Sequence, residues 1–291
     1  MGKTREIKKR IKAVANIRRI TKTMQMIATS KFARAQQRAV ATKPYTEGVF
    51  DLVRELAATA GNVTHALISG DEASRKAGAK ELTLLLTSDR GLCGPYNGAI
   101  LRATMQHLRN TPGAKEGVVE VVGKKGAGFL KFSGIAVAQQ HAFGDKPTYE
   151  RVEQLAQAYM ERFIAGELRS VKVVYMRYIS AGRQAPTVMQ LLPLKPPETT
   201  GEARKPVEYE FSPPAEELLG DLIPAAVKAT LFQAFNDAIV SEHVARMVAM
   251  KAATDNAGKM GKRLTRQYNR ARQAQITTEL TEIISGAAAL E

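Results

Sequence analysis

Cysteine occurs once in this chain of 291 residues, at Cys93, and tryptophan does not occur at all. A single thiol excludes an internal disulfide framework and a multi-cysteine metal centre, so a chain made in a reducing compartment is expected. The four histidines, at 65, 107, 141 and 243, are scattered and share no ligand spacing with the acids, so neither a metal nor a cofactor is expected. No apolar run approaches the ~20 residues that cross a bilayer. No signal peptide or Arg/Ser-rich presequence precedes the first periodic segment, and the expectation is a soluble chain. Apolar residues at 44% are too many for a disordered chain, and 22 Gly with 12 Pro are too few for a collagen-like one.

Acidic residues are nearly missing from two stretches. Residues 1–43 carry 13 Lys/Arg against Glu6 alone, and residues 245–275 carry 8 against Asp255 alone. Residues 276–291 have no base and three Glu, while residues 44–244 are close to neutral. The formal charge of +15 therefore belongs to the two ends, and such polarity implies a partner.

Both ends have helical periodicity. Ile7, Ile11, Val14, Ile17, Ile20, Met24 and Ile27 recur at steps of three and four, and no Pro intervenes before Pro44. The mean step, ~3.3 residues, lies below the 3.5 of a heptad and reads as a locally overwound coil. Near the other end a seam runs through Phe232, Phe235, Ile239, His243, Arg246, Met250, Ala253, Ala257, Met260 and Leu264, alternating steps of three and four. Pro213 and Pro214 followed by Glu216 and Glu217 mark its helix start. Two long amphipathic helices most simply bury their stripes against each other, so an antiparallel coiled coil of the N- and C-terminal helices is predicted.

The middle of the chain changes period. Short apolar runs at 81–87, 118–122 and 171–179 read as strands, with helices over 96–108, 124–132 and 149–164; later strands are expected at 187–192 and 207–211. Strands alternating with helices predict a parallel, Rossmann-like α/β layer. The fold class is thus α/β with long helices, divided as residues 1–58 (N-terminal helix), 75–212 (α/β domain) and 213–291 (C-terminal helix).

Two turns are candidates for chemistry. Residues 88–94 follow the first strand, where α/β folds bind ligands. Ser88 or Cys93 would be the nucleophile, but no histidine lies nearby to serve as base. A tight strand-to-helix turn around a small buried thiol is the better reading. The segment from Gly123 to Gly128 lacks the P-loop spacing and its Lys-Ser/Thr ending, and reads as a helix start with flexible glycines. The basic ends leave two readings open. A coiled-coil nucleic-acid binder would set Lys3, Lys8, Lys9, Arg10, Arg18 and Arg19 on phosphates, although no helix-turn-helix, zinc or aromatic single-strand signature accompanies them. A protein partner with acidic or carbonyl-rich walls is favoured because His243 and Arg246 stand on the seam itself, where charge is costly without a partner.

Four segments also resemble a known family. They are Ile20 to Ala28 (ITKTMQMIA) with Lys31, Thr87 to Asn97 (TSDRGLCGPYN), Ser241 to Asn256 (SEHVARMVAMKAATDN), and Tyr268 to Ala289 (YNRARQAQITTELTEIISGAAA). In this order they are similar to the gamma subunit of F-type ATP synthases of bacterial type. Thr23 and Ile27 depart from the Ala and Val common there. The resemblance implies a non-catalytic rotor shaft, enclosed by three alpha and three beta subunits and joined to the epsilon subunit and the membrane ring of c subunits. No nucleic acid and no cofactor are implied, and the place would be peripheral, at the cytoplasmic face of the bacterial plasma membrane. The shaft would couple proton-driven rotation to conformational change at the catalytic beta subunits. It further implies that Arg272 and Gln273 touch a loop of one beta subunit. Arg246 would make a second contact or brace the coil, Met24 would join the partner contacts, and Tyr209 would lie where the foot meets the c subunits. A lone cysteine argues against the thiol switch of chloroplast members.

Overall fold

The computed structural model of the chain describes residues 2–60, 65–69, 78–194 and 215–288. Helix α1 spans Gly2–Ala60 and continues through Pro44; a short α2 spans Ala66–Ser69. Then follow β1 (Lys80–Leu86), α3 (Tyr96–Asn110), β2 (Val118–Val122), α4 (Lys124–Phe132), β3 (Gln139–His141), α5 (Tyr149–Ile164), β4 (Leu168–Ser180) and β5 (Arg183–Leu192). Helix α6 closes the order with 74 residues, Ala215–Ala288, about 110 Å at 1.5 Å per residue. The strand expected at 207–211, and Tyr209 with it, lies outside the described residues. Two compact units divide the chain: residues 1–30 with 246–291, and residues 31–245.

In the first unit α1 and α6 pair antiparallel. Thr21 and Thr254 share a hydrogen bond of 2.8 Å, and the Thr4 hydroxyl donates to Gln275 Oε1 at 3.1 Å. Residue numbers fall on one helix as they rise on the other. The seam differs from the one expected. Ile17, Ile20 and Ile27 are 52%, 56% and 52% exposed, whereas Val14 and Ala28 are buried and Ile7 and Thr21 half-buried. Steps of three drift around a helix of 3.6 residues per turn, so the isoleucines leave the interface after Val14. Positions 7, 14, 21 and 28, seven apart, hold it instead. On α6 the inward positions are Met250, Thr254, Ala257, Gly261, Leu264, Tyr268, Ala271 and Gln275, alternating four and three. Met260, expected on the seam, is 54% exposed, and Gly261 takes its place.

The second unit is built on a five-stranded sheet in the order β3-β2-β1-β4-β5. The first four strands are parallel, and β5 returns antiparallel along β4, so the sheet is mixed at that edge. Strand β1 is buried on both faces, which is why LTLLL reads as an unbroken apolar run. Leu82, Leu84 and Leu86 face a core shared with Val49, Val53 and Leu56 of α1, with α5, and with α6 from Leu219 to Ala238. Leu85 faces the opposite core, with Ile100 and Leu101 of α3 and Leu130 of α4. An 18-residue stretch within Glu217–Gly286 of α6 reaches a mean hydropathy of 1.3, more apolar than the sequence reading allowed, and 44% of it is buried inside the fold.

Each face of the sheet also buries one glutamate. Glu81 on β1 receives Ser170 Oγ at 3.1 Å and lies 2.7 Å from His107 Nε2. Glu120 on β2 accepts from Tyr159 Oη at 2.7 Å and Arg162 Nη1 at 3.1 Å, and lies 2.7 Å from His141 Nε2. Burial alone would raise the Glu120 carboxyl, but the bonds from His141, Tyr159 and Arg162 outweigh it and hold the group below its ordinary value. Filled acceptor sites make these acids structural rather than reactive.

Candidate functional site

Parallel α/β sheets take ligands at the carboxyl ends of their strands, so that end of β1 is the first place to search. Thr87 ends the strand and is fully used by the fold. Its hydroxyl lies 2.8 Å from the Val122 carbonyl and accepts the Gly126 amide at 2.9 Å. Asp89 Oδ1 accepts the Lys124 amide at 3.1 Å, placing a carboxylate at the start of α4 where a phosphate would otherwise sit. The glycines there are structural. A Cβ on Gly123, at φ 94°, would come within 2.3 Å of the Thr87 carbonyl oxygen, and one on Gly126 within 2.5 Å of the Thr87 hydroxyl. Close approach, not flexibility, requires them.

Neither candidate nucleophile meets a histidine. The Ser88 hydroxyl donates to the Arg90 carbonyl at 2.7 Å and shares Asn97, whose amide also reaches Cys93 Sγ at 3.3 Å. What remains of the crevice is filled by α6. Phe235, Ala238, Ile239 and Glu242 line it opposite Thr87, Gly123 and Asp145, leaving a cavity of about 30 Å³. Tyr96 Oη seals it with a 3.0 Å bond to the Ala238 carbonyl. That space suits about one water molecule and no nucleotide.

The helix pair of the first unit offers a different kind of surface. An open groove of about 1260 Å³ runs between its helices, floored by Val14, Ala257, Gly258 and Gly261. Arg18, Arg19 and Lys22 line one wall and Lys259, Lys262 and Arg266 the other, with Asp255 the lone acid. All six cations are exposed. Beside them Ile17, Ile20 and Ile27 form an outward apolar stripe on α1. Further along α6, Ile276, Leu280, Ile283 and Ile284 are all more than half exposed, beyond Gln275 and its Thr4 partner. Exposed isoleucine in stripes, set among cations, marks a surface made to be covered.

The residues singled out from the sequence fall unevenly on this surface. Arg272 and Gln273 are exposed, and among the described residues Arg272 has no carboxylate within 4.0 Å. Met24 is half-buried beside the seam. Arg246 is half-buried and already engaged in an interaction of its own. His243 is 3% exposed and belongs to the second unit. The sequence reading missed the outward stripe, because it assigned those isoleucines to the seam. The heptad spacing of Thr21 and Ala28 behind Val14 was the available signal.

Comparison with known proteins covers the whole chain. The family model described as ATP synthase matches residues 3–290. The ATP synthase gamma chain of Rhodopirellula baltica is 42% identical over 299 residues, covering 100% of both chains. That of Pelotomaculum thermopropionicum is 37% identical over 292 residues, again with 100% of both covered. Among solved structures, a chain in the OSCP/F1/c-ring of Euglena gracilis mitochondrial ATP synthase aligns with a TM-score of 0.68 at 18% identity, covering 99% of this chain and 95% of that one. A chain in the rotor of the same enzyme aligns at 0.65 and 20% identity, covering 94% and 99%.

Proposed function

Because this chain belongs to the family of ATP synthase gamma chains, we propose that it is the central shaft of a bacterial ATP synthase and carries no catalytic site of its own. The helix pair is the part that turns inside a ring of three alpha and three beta subunits. The sheet unit is the foot, held with the epsilon subunit against the c-subunit ring. Proton flow turns ring and shaft together. The shaft presents a different side to each beta subunit and so biases each between conformations. Assembly would keep the chain peripheral, at the cytoplasmic face of the plasma membrane.

The observation that carries this reading is the outer surface of the helix pair. Ile17, Ile20 and Ile27 stand exposed beside cations that find one acid, Asp255, among them, so a partner must supply both apolar cover and carboxylates or carbonyls. The closed crevice of the sheet agrees with a chain whose nucleotide chemistry lies in other subunits. Copurification from detergent-washed membranes tests the assignment. Recovery in a stoichiometric complex with alpha and beta subunits is expected; recovery with nucleic acid and without ATPase subunits would overturn it.

A further inference from the structure

One carboxylate in the sheet unit ties a turn of that unit to a long helix. Asp145 lies in the turn between β3 and α5 and forms an ion pair with Lys31 of α1. The Lys31 bond chiefly holds the Asp145 carboxyl below its ordinary value, with smaller contributions in the same direction from His243 on α6 and Arg90 on the turn after β1. The same turn grips α6 directly, since Phe143 packs on Phe235 with ring centroids 4.7 Å apart. Arg151 braces the turn from behind: its guanidinium covers the Phe143 ring at 5.0 Å and donates to the Ala142 carbonyl at 2.7 Å. Lys31 is the first residue of α1 that belongs to this unit, and Ala245 is the last of α6. The turn therefore touches both long helices inside the sheet unit, α1 at its first residue there and α6 at Phe235.

We propose that Asp145 is a positioning residue for torque: with Phe143 it locks α1 and α6 to the sheet so that the two helices cannot twist independently of the foot. This rests on the shaft reading above. An ion pair whose side chains are 39% and 40% exposed adds little to folding stability, of order 1 kcal/mol or less. Stability is not its use. Helix α6 is held to the sheet unit by interdigitated packing and by bonds of its own, Ser241 Oγ to the Met176 carbonyl at 3.2 Å and Lys228 Nζ to Glu153 at 2.8 Å. The Asp145–Lys31 pair gives α1 a directional, charge-assisted bond of the same kind, placed off the helix axis. Lys31 lies four residues past Ile27 and next to Phe32, Ala35 and Ala39, which anchor this part of α1, while Val49, Val53 and Leu56 anchor it further along.

The test uses the assembled complex. Cys93 is replaced by Ser and Phe132, 91% exposed, by Cys to carry a bead on the sheet unit. With the alpha and beta subunits immobilised and rotation paused, the variance of the bead angle reports torsional stiffness. Asp145→Asn and Lys31→Gln are each expected to raise that variance about twofold. The double variant is expected to be no softer than either single one, since both remove the same bond. Lys31→Arg and Asp145→Glu keep the pair and should match the parent. Unchanged variance in both neutral variants, additive softening in the double, or softening in both charge-keeping variants would each overturn the proposal. Should a neutral variant fail to assemble, hydrogen exchange on the isolated chain decides. Amides 142–148 are expected to exchange faster while amides 118–122 keep their protection, and equal protection at 142–148 would overturn the lock. A parent chain that never assembles with alpha and beta subunits would instead remove the shaft reading.

Discussion

Thr21 and Thr254 face each other across the helix pair, their hydroxyl oxygens 2.8 Å apart. This one contact sets the register of the first unit: α1 and α6 meet in an antiparallel sense with Thr4 beside Gln275 and Arg18 beside Gly258. Cysteines at 21 and 254 are expected to form a disulfide within one chain, because the side chains already converge. Cysteines at 20 and 260, both on exposed faces, are expected to stay unlinked. Electrophoretic mobility under non-reducing conditions reads both. A bond at 20–260 with none at 21–254 would contradict the register.

Two glycines should respond oppositely to alanine. At Gly123 a Cβ would meet backbone at 2.3 Å with φ at 94°, so Gly123→Ala is expected to cost more than about 2 kcal/mol and to detach α4. At Gly261 nothing lies within 4 Å of the added methyl, and the site is helical. Gly261→Ala is expected to stabilise by about 1 kcal/mol through helix propensity alone. Denaturant melts of the two variants check the contrast.

Asp237 gives the sheet unit an unusual response to pH. Burial raises its carboxyl to about 6, although Gln233, the Tyr178 backbone, Arg177 and Lys43 all oppose the shift. An acid with a raised folded pKa binds its proton more tightly when folded, so stability grows as pH falls from about 6 towards 4 and is lowest above 6. Asp237→Asn removes the buried charge. It is expected to raise stability at pH 7.5 by about 2 kcal/mol and to leave it unchanged near pH 4. Equal effects at both pH values in urea melts would exclude the titration.

Arg272 and Gln273 are proposed to contact a beta subunit, and both are free to do so on the exposed face of α6. Arg272→Ala is expected to slow ATP hydrolysis by the assembled complex several-fold, since a planar guanidinium can hold two acceptors of a loop at once. Thermal melting of the isolated chain is expected to be unchanged. Full turnover in both Arg272→Ala and Gln273→Ala complexes, with assembly verified, would remove the contact.

The elements of the sheet unit were largely legible in the sequence because their signals are local. Residues 118–122, 124–132 and 149–164 have the periodicity of their final structures. Strand β3 was not legible: three residues, QQH, carry no alternation, and only pairing with β2 makes them a strand. The coiled-coil face was misread for a physical reason. Sequence patterning treats every isoleucine as a claim on the interior, yet Ile17, Ile20 and Ile27 point outward while Thr21 and Ala28 line the seam. A chain that is covered on both sides by different neighbours has two apolar stripes, and periodicity cannot say which belongs to which. The Asp145 lock was invisible altogether, as it joins residues 114 positions apart.

Helix axes approach as closely as the side chains between them permit, commonly 8–10 Å. Thr21 and Ala28 on one side, with Thr254, Ala257 and Gly261 on the other, bring mostly small side chains to that interface. Such a seam gives little adhesion per turn, since alanine and glycine remove little apolar area from water. What it yields is a rod that keeps Ile17, Ile20, Ile27 and six cations on its rim. Leucines at 28 and 257 would hold the pair together more strongly and spread it, and a thicker rod would bind in any close-fitting bore. Clearance, more than cohesion, is the quantity these small residues set.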